Sequence, residues 1–168
     1  MHIFIVGPMA SGKSTIGKIL AKTLSMDFID TDKEIERIAG VDISWMFEIE
    51  GEKAFRERER NILKEITKKK DLVISTGGGI VLLEENRKLM STKGKIIYLK
   101  TPLQIQLNRT INDKIRPLLG KGNKREILKA LKEERDPLYH EIADVTINQK
   151  EKKSSQILSE IIDKLNIK

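Results

Sequence analysis

Residues 3–15 read IFIVGPMASGKST, and this stretch decides how the chain is interpreted. Ile3 to Val6 are four consecutive apolar residues, the pattern of a short buried strand. Gly7 opens the spacing G-x-x-x-x-G-K-[ST], which Gly12, Lys13 and Ser14 complete. Beyond it Ile16, Ile19, Leu20 and Leu24 recur at helical intervals. The motif therefore lies between a strand and a helix start, where its chemistry needs it. Glycines let the backbone wrap a polyphosphate with its N–H groups turned inward, and the helix N-terminus adds partial positive charge. Lys13 can reach the outer phosphates, and the Ser14 hydroxyl can ligate Mg²⁺. The stretch predicts a nucleoside-triphosphate site.

Working outward, the same alternation repeats. DFID, Asp27 to Asp30, reads as a second strand. Thr31 then reads as a helix cap, with Glu34 completing a capping box and Gly40 ending the helix. Asp42 to Glu50 predicts a short helix whose Trp45, Met46 and Phe47 are core or pocket wall. A long charged helix spans about Glu52 to Lys69. LVIST, Leu72 to Thr76, is a third strand and runs straight into Gly77-Gly78-Gly79. A helix over Leu82 to Thr92, a strand over Ile96 to Leu99 and a helix opened by the Thr101 cap and Pro102 follow. Residues 112–123, NDKIRPLLGKGN, break the periodicity and read as a lid loop. The next helix meets Pro137, which interrupts or ends it. VTI, Val145 to Ile147, is the fifth strand, and Ile157, Leu158, Ile161, Ile162 and Leu165 give the last helix one apolar face. Five strand–helix alternations predict an α/β fold: a three-layer α/β/α arrangement around a five-stranded parallel sheet, of the phosphate-loop NTPase type. With no repeat or linker in view, residues 1–168 read as one domain with a lid.

The chain has 168 residues, no cysteine and a net charge of +7. Without cysteine there is no disulfide framework and no thiolate metal site. No apolar run is long enough to span a membrane, and the first strand leaves no room for a cleavable leader. A cytoplasmic location is expected. The basic excess is interleaved with acids, as in FRERERNILKEITKKK, so it reads as solvated helix faces and not as a nucleic-acid stripe. It would also draw in anionic substrates.

In parallel sheets ligands sit beyond the C-terminal strand ends. That rule selects the phosphate loop, Asp30 and Asp32, Thr76 to Gly79, and the segment leading to the lid. Of the two aspartates, one could support Mg²⁺ through water and the other accept a hydrogen bond from the hydroxyl to be phosphorylated. Three glycines at a strand end predict close approach of backbone to a ligand. Arg56, Arg135 and the lid residue Arg116 are candidates for anion binding through the planar guanidinium fork. His2 and His140 show no acid–base partner and read as non-catalytic.

Together GPMASGKSTIG, DFIDTD, the FR of KAFRERE, STGGG, RPLL and ERDPLYHEIADVTI resemble the shikimate kinases in order and spacing, along nearly the whole chain. The resemblance implies ATP with one Mg²⁺ on Ala10, Ser11, Gly12, Lys13, Ser14 and Thr15. Ser14 would be the metal ligand and Asp30 a partner through water. It implies transfer of the γ-phosphoryl group to the 3-hydroxyl of shikimate, a step in aromatic amino acid biosynthesis. Lys13, Asp32 and Arg116 would be catalytic. Asp32, Arg56, Gly77, Gly78, Gly79 and Arg135 would hold shikimate, and Arg109, Arg116 and Lys152 would contact ATP. A monomer without nucleic-acid or membrane partners is expected. Ala10 stands where the family often has glycine, and alanine fits there if its φ is negative. The rival expectations are another small kinase of this type, for gluconate or a nucleoside monophosphate, and a nucleotide-dependent regulator that is not an enzyme.

Overall fold

The computed structural model describes residues 1–112, 123–150 and 152–167. Strand β1 (His2–Val6) is followed by helix α1 (Lys13–Leu24), β2 (Asp27–Asp30), α2 (Thr31–Ala39), α3 (Ile43–Ile49) and α4 (Glu52–Ile66). Then come β3 (Leu72–Ser75), a single 3₁₀ turn (Ile80–Leu82), α5 (Glu84–Lys93), β4 (Gly94–Lys100), α6 (Leu103–Arg109), α7 (Lys124–Ile142), β5 (Val145–Asn148) and α8 (Ser154–Leu165). All strands pair in parallel in the order β2-β3-β1-β4-β5. The expected five-stranded α/β sandwich is the observed one.

Side chains alternate across a strand, so a central parallel strand feeds two cores. Ile3 and Ile5 of β1 join Val73, Ile97 and Leu99 against Ile16 and Leu20 of α1 and Ile157 and Ile161 of α8. Phe4 and Val6 point the other way, into a cluster with Ile74, Ile96 and Tyr98, covered by Leu63 of α4, Met90 of α5 and Tyr139 of α7. Strand β1 sits at the middle, with β3 on one side and β4 on the other. The loops after β1, β2 and β3 therefore meet at one end of the sheet.

Several local expectations are corrected. Asp30, not Thr31, is the α2 N-cap: its Oδ1 accepts from the backbone N–H of Asp32 at 3.0 Å and of Lys33 at 3.1 Å. Thr31 is buried, and its hydroxyl oxygen accepts from the Gly77 N–H at 3.1 Å. Pro102 is the N-cap of α6, one residue earlier than its expected first helical position. Pro137 lies inside α7 without ending it; Leu128 and Tyr139, buried on either side of the proline, hold the helix to the core through the lost hydrogen bond. Helix α4 stops at Ile66. Trp45 is exposed, whereas Met46 is fully buried. Of the lid expected over 112–123, the interior and Arg116 lie outside the described residues.

Candidate active site

The C-terminal end of the sheet opens into a cleft of about 720 Å³. It is lined by residues 9–16 of the phosphate loop, by Asp30 and Asp32 after β2, by Arg56 of α4, by 75–79 after β3, and by Arg109, Arg135 and Lys152. Every site residue expected from sequence that lies within the described residues borders this one cleft.

The loop follows β1 because Gly7 and Gly12 supply backbone angles that side-chained residues resist. Gly7 has φ of 152° and Gly12, the α1 N-cap, has φ of 80°. The expectation for Ala10 fails: its φ is +61°, in the left-handed region. Tertiary hydrogen bonding holds it there, since Arg109 Nη1 donates to the Ala10 carbonyl at 2.8 Å. Lys13 is buried, and its Nζ donates to the carbonyls of Gly7 at 2.9 Å and Pro8 at 2.8 Å and to Ser11 Oγ at 3.3 Å. Its ammonium is thus held along the loop. Ser14 Oγ donates to Asp30 Oδ2 and lies 3.2 Å from Ser75 Oγ. Two hydroxyls and a carboxylate form an all-oxygen set, the donor chemistry Mg²⁺ prefers. Lys152 pairs with Glu160 of α8 at 2.5 Å.

The other half of the cleft is built on the glycine run. A methyl group on Gly79 would come within 2.3 Å of the Arg56 guanidinium, and one on Gly78 would lie 3.5 Å from Arg135 Nη1. The close approach read from the three glycines is thus an approach to the cleft's own side chains. Arg56 donates from Nη1 to Glu59 Oε1 at 3.0 Å and from Nη2 to Glu52 Oε1 at 3.2 Å, and packs over the rings of Phe47 and Phe55. Arg56 is 9% exposed and Arg135 6%. The Nε of each, and Glu59 Oε2, have no partner among the described residues. Buried polar atoms without partners are rare in folded proteins and point to a ligand or water.

Burial pushes the Asp32 carboxyl up to about 6, reinforced by Asp30 and opposed by Lys13 and Arg56. Burial likewise lifts Glu59 to about 7, with Arg56 acting against the rise and Asp32 adding to it. Sequence reading missed Glu59, although its position three residues after Arg56 places both on one helix face. It also missed Tyr139, whose hydroxyl donates to the Gly78 carbonyl at 2.5 Å. Gln106 and Gln149, buried beside the phosphate loop, were missed as well. His2 lies away from the cleft, between the Thr67 carbonyl and the Leu72 N–H.

A phosphate loop after the first strand of a parallel sheet, beside a pocket of buried arginines and a raised carboxyl, defines a phosphotransferase that moves a phosphoryl group to a small acceptor. The family model described as shikimate kinase matches residues 9–166. A shikimate kinase of Pasteurella multocida is 50% identical over 163 residues, covering 96% of this chain and 93% of the relative. Shikimate kinase 1 of Erwinia tasmaniensis is 49% identical over 165 residues, covering 98% and 95%. The structure of shikimate kinase from Acinetobacter baumannii in complex with shikimate superposes with a TM-score of 0.95 at 43% identity, covering 98% of this chain and 92% of that one. A gluconokinase from Sinorhizobium meliloti, at a TM-score of 0.61 and 14% identity, shares the fold alone. The chain belongs to the shikimate kinase family.

Proposed function

We propose that the protein transfers the γ-phosphoryl group of ATP to the 3-hydroxyl of shikimate, giving shikimate 3-phosphate and ADP on the route to chorismate and the aromatic amino acids. The observation that carries this reading is the pair of nearly buried guanidiniums, Arg56 and Arg135, each with a partnerless Nε beside a glycine run and one carboxylate away from the phosphate loop. Such a pair suits a carboxylate-bearing acceptor, which can take two planar forks at once. Gly79 leaves the room that the Arg56 guanidinium occupies, Gly78 borders Arg135, and Gly77 makes room for Asp32 and Glu59.

Asp32, at the junction of the two halves, accepts the proton of the attacking hydroxyl. A bond forms from that oxygen to the γ-phosphorus, the bond to the β–γ bridging oxygen breaks, and its electron pair leaves with ADP. Lys13, now bonded to loop carbonyls, lies where it can follow the charge that develops on the phosphates. Ala10 to Thr15 cradle the phosphates, Arg109 and Lys152 border the nucleotide end, and Arg116 closes over it from the lid. Ser14 would hold one Mg²⁺, with Asp30 behind it through water; the ion neutralises phosphate charge when bound. Chemistry then rests on positioning and electrostatics.

The reading extends to one kinase domain over 1–168, acting as a cytoplasmic monomer without nucleic-acid or membrane partners. Among the described residues no helix is long and apolar enough to cross a membrane. Among the described residues several cations pair with neighbouring acids, as in Arg37–Glu34, Arg58–Glu50 and Lys88–Glu84, which suits the solvated helix faces read from the sequence.

The test is ADP release from ATP–Mg²⁺ with shikimate, gluconate or AMP as acceptor. Stimulation by shikimate alone is expected. Equal or greater stimulation by gluconate or AMP overturns the acceptor assignment, and no stimulation by any acceptor overturns the kinase reading.

A further inference from the structure

Consecutive carbonyls of the phosphate loop are each held by a hydrogen-bond donor. Lys13 takes those of Gly7 and Pro8. Gln106 Nε2, on α6, donates to the Met9 carbonyl at 3.1 Å. Arg109 Nη1, one turn on, donates to Ala10 at 2.8 Å. Gln149 Nε2, just past β5, donates to the Ser11 carbonyl. The Gly12 carbonyl accepts from Ile16 N–H at 2.9 Å in the first turn of α1. Every carbonyl from Gly7 to Gly12 is thus occupied.

The two glutamines are not incidental surface contacts. Gln106 is 2% exposed and Gln149 3%. The Gln149 amide is fixed by a carbonyl acceptor on one side and by Arg109 Nη1, donating to its Oε1 at 3.3 Å, on the other. Its backbone N–H is tied to the Lys100 carbonyl at 2.9 Å, so it cannot drift from the sheet end.

A trans peptide unit is planar, and its C=O points opposite to the N–H of the next residue. Holding the Met9 carbonyl therefore aims the Ala10 N–H away from Gln106, and holding Ser11 aims the Gly12 N–H away from Gln149. A freed carbonyl could rotate toward the bound phosphates and repel them. The need for restraint is greater in this chain because Ala10 sits in the left-handed region, which alanine resists. We propose that Gln106 and Gln149 are positioning residues for the nucleotide: side-chain latches, from α6 and from the end of β5, that hold the phosphate loop with its amides turned to the polyphosphate. The inference rests on reading the loop as the ATP site.

The test uses the full chain with Gln106→Met, Gln149→Met and the double variant, near-isosteric changes that remove the donors. Binding of ADP–Mg²⁺ is measured by calorimetry, and KM for each substrate by turnover. Expected is a loss in ADP affinity of about fivefold for each single change and about twentyfold for the pair. KM for ATP rises with it, while KM for shikimate stays within twofold. Gln106→Met also removes a buried Oε1 that has no partner among the described residues, so this variant keeps the fold even if Gln149→Met does not. ADP affinity within twofold of the parent in folded variants overturns the proposal, as does a parallel rise in both KM values. The latch is judged on ADP binding, so a parent that binds ADP and fails to phosphorylate shikimate overturns the proposed function and not the latch.

Discussion

Asp32 and Glu59 face each other across Gly77: a methyl group on that glycine would lie 2.6 Å from Asp32 Oδ1 and 2.9 Å from Glu59 Oε2. Burial raises both carboxyls, to about 6 and about 7, against the pull of Lys13, Arg56 and Arg135. A base must be ionised to take a proton. At saturating ATP–Mg²⁺, kcat/KM for shikimate should be flat above about pH 7. It should fall about tenfold per pH unit below the Asp32 value of about 6. A profile that stays level down to pH 5 removes Asp32 from this role. Asp32→Asn should lower kcat by at least about 100-fold at pH 7.5.

The same raised carboxyl makes stability depend on pH. Asp32 has a native value of about 6 against an ordinary value of 3.8, so between those values the native state binds more protons than the unfolded chain. Stability therefore falls as pH rises through that window. Denaturant unfolding should show Asp32→Asn gaining on the parent from pH 4 to pH 7, by on the order of 2 kcal/mol, and matching it at pH 4. A constant difference across the range would assign the effect to packing.

Gly79 has φ of −91°, which alanine adopts without strain, so Gly79→Ala isolates its contact with Arg56. The added methyl would overlap the guanidinium, at 2.3 Å from Nη1, and push it toward the cleft or off Glu59. KM for shikimate should rise about tenfold or more while KM for ATP changes less than twofold. Global stability should drop by no more than about 1 kcal/mol, because the far end of a flexible side chain can yield. Unchanged shikimate kinetics would show that Arg56 does not touch the acceptor.

Much of this site was legible because its signals are local. The 3–15 stretch carries strand, loop and helix start in consecutive residues, and Asp30, Asp32 and the glycine run lie at strand ends. What escaped reading depends on partners distant in sequence. Asp30 and Thr31 are both good capping residues in adjacent positions, and the choice fell to Asp30 through tertiary demands: its second oxygen meets Ser14, and Thr31 is needed by the Gly77 N–H. Glu59 looked like one more charge on a charged helix until Gly77 and Arg56 came up against it. Gln149 bears no motif, and its partner Ser11 is 138 residues away. Pro137 obeys its local rule only where a helix lacks support on both sides, and α7 has Leu128 before it and Tyr139 after it.

Arg135 gives a further test of the proposed acceptor pocket. Its guanidinium is nearly buried, and its Nε is without a partner among the described residues, which leaves that N–H to a ligand. Arg135→Ala should raise KM for shikimate by about 10- to 100-fold, as expected for a buried charge-assisted contact. The affinity for ADP–Mg²⁺ should stay close to the parent's, while stability drops because buried Glu59 loses one of its counter-charges. Loss of nucleotide binding in step with shikimate binding would make Arg135 a structural residue of the cleft.

Ala10 gives the sharpest contrast between packing and backbone. Its φ of +61° is one that glycine adopts freely and alanine does not. The left-handed region costs an alanine about 1–2 kcal/mol. Glycine at this site relieves that cost but adds about 0.4–1 kcal/mol of unfolded-state entropy. Ala10→Gly should therefore stabilise the chain by up to about 1 kcal/mol and keep turnover, with KM for ATP within threefold. Ala10→Val, β-branched and harder to hold at positive φ, should lose about 2 kcal/mol or more and raise KM for ATP. Chemical denaturation of the three proteins decides the matter: if Ala10→Gly is the less stable by more than about 0.5 kcal/mol, the left-handed turn is not a strained one, and the latches on Met9 and Ser11 hold a loop that would keep its shape without them.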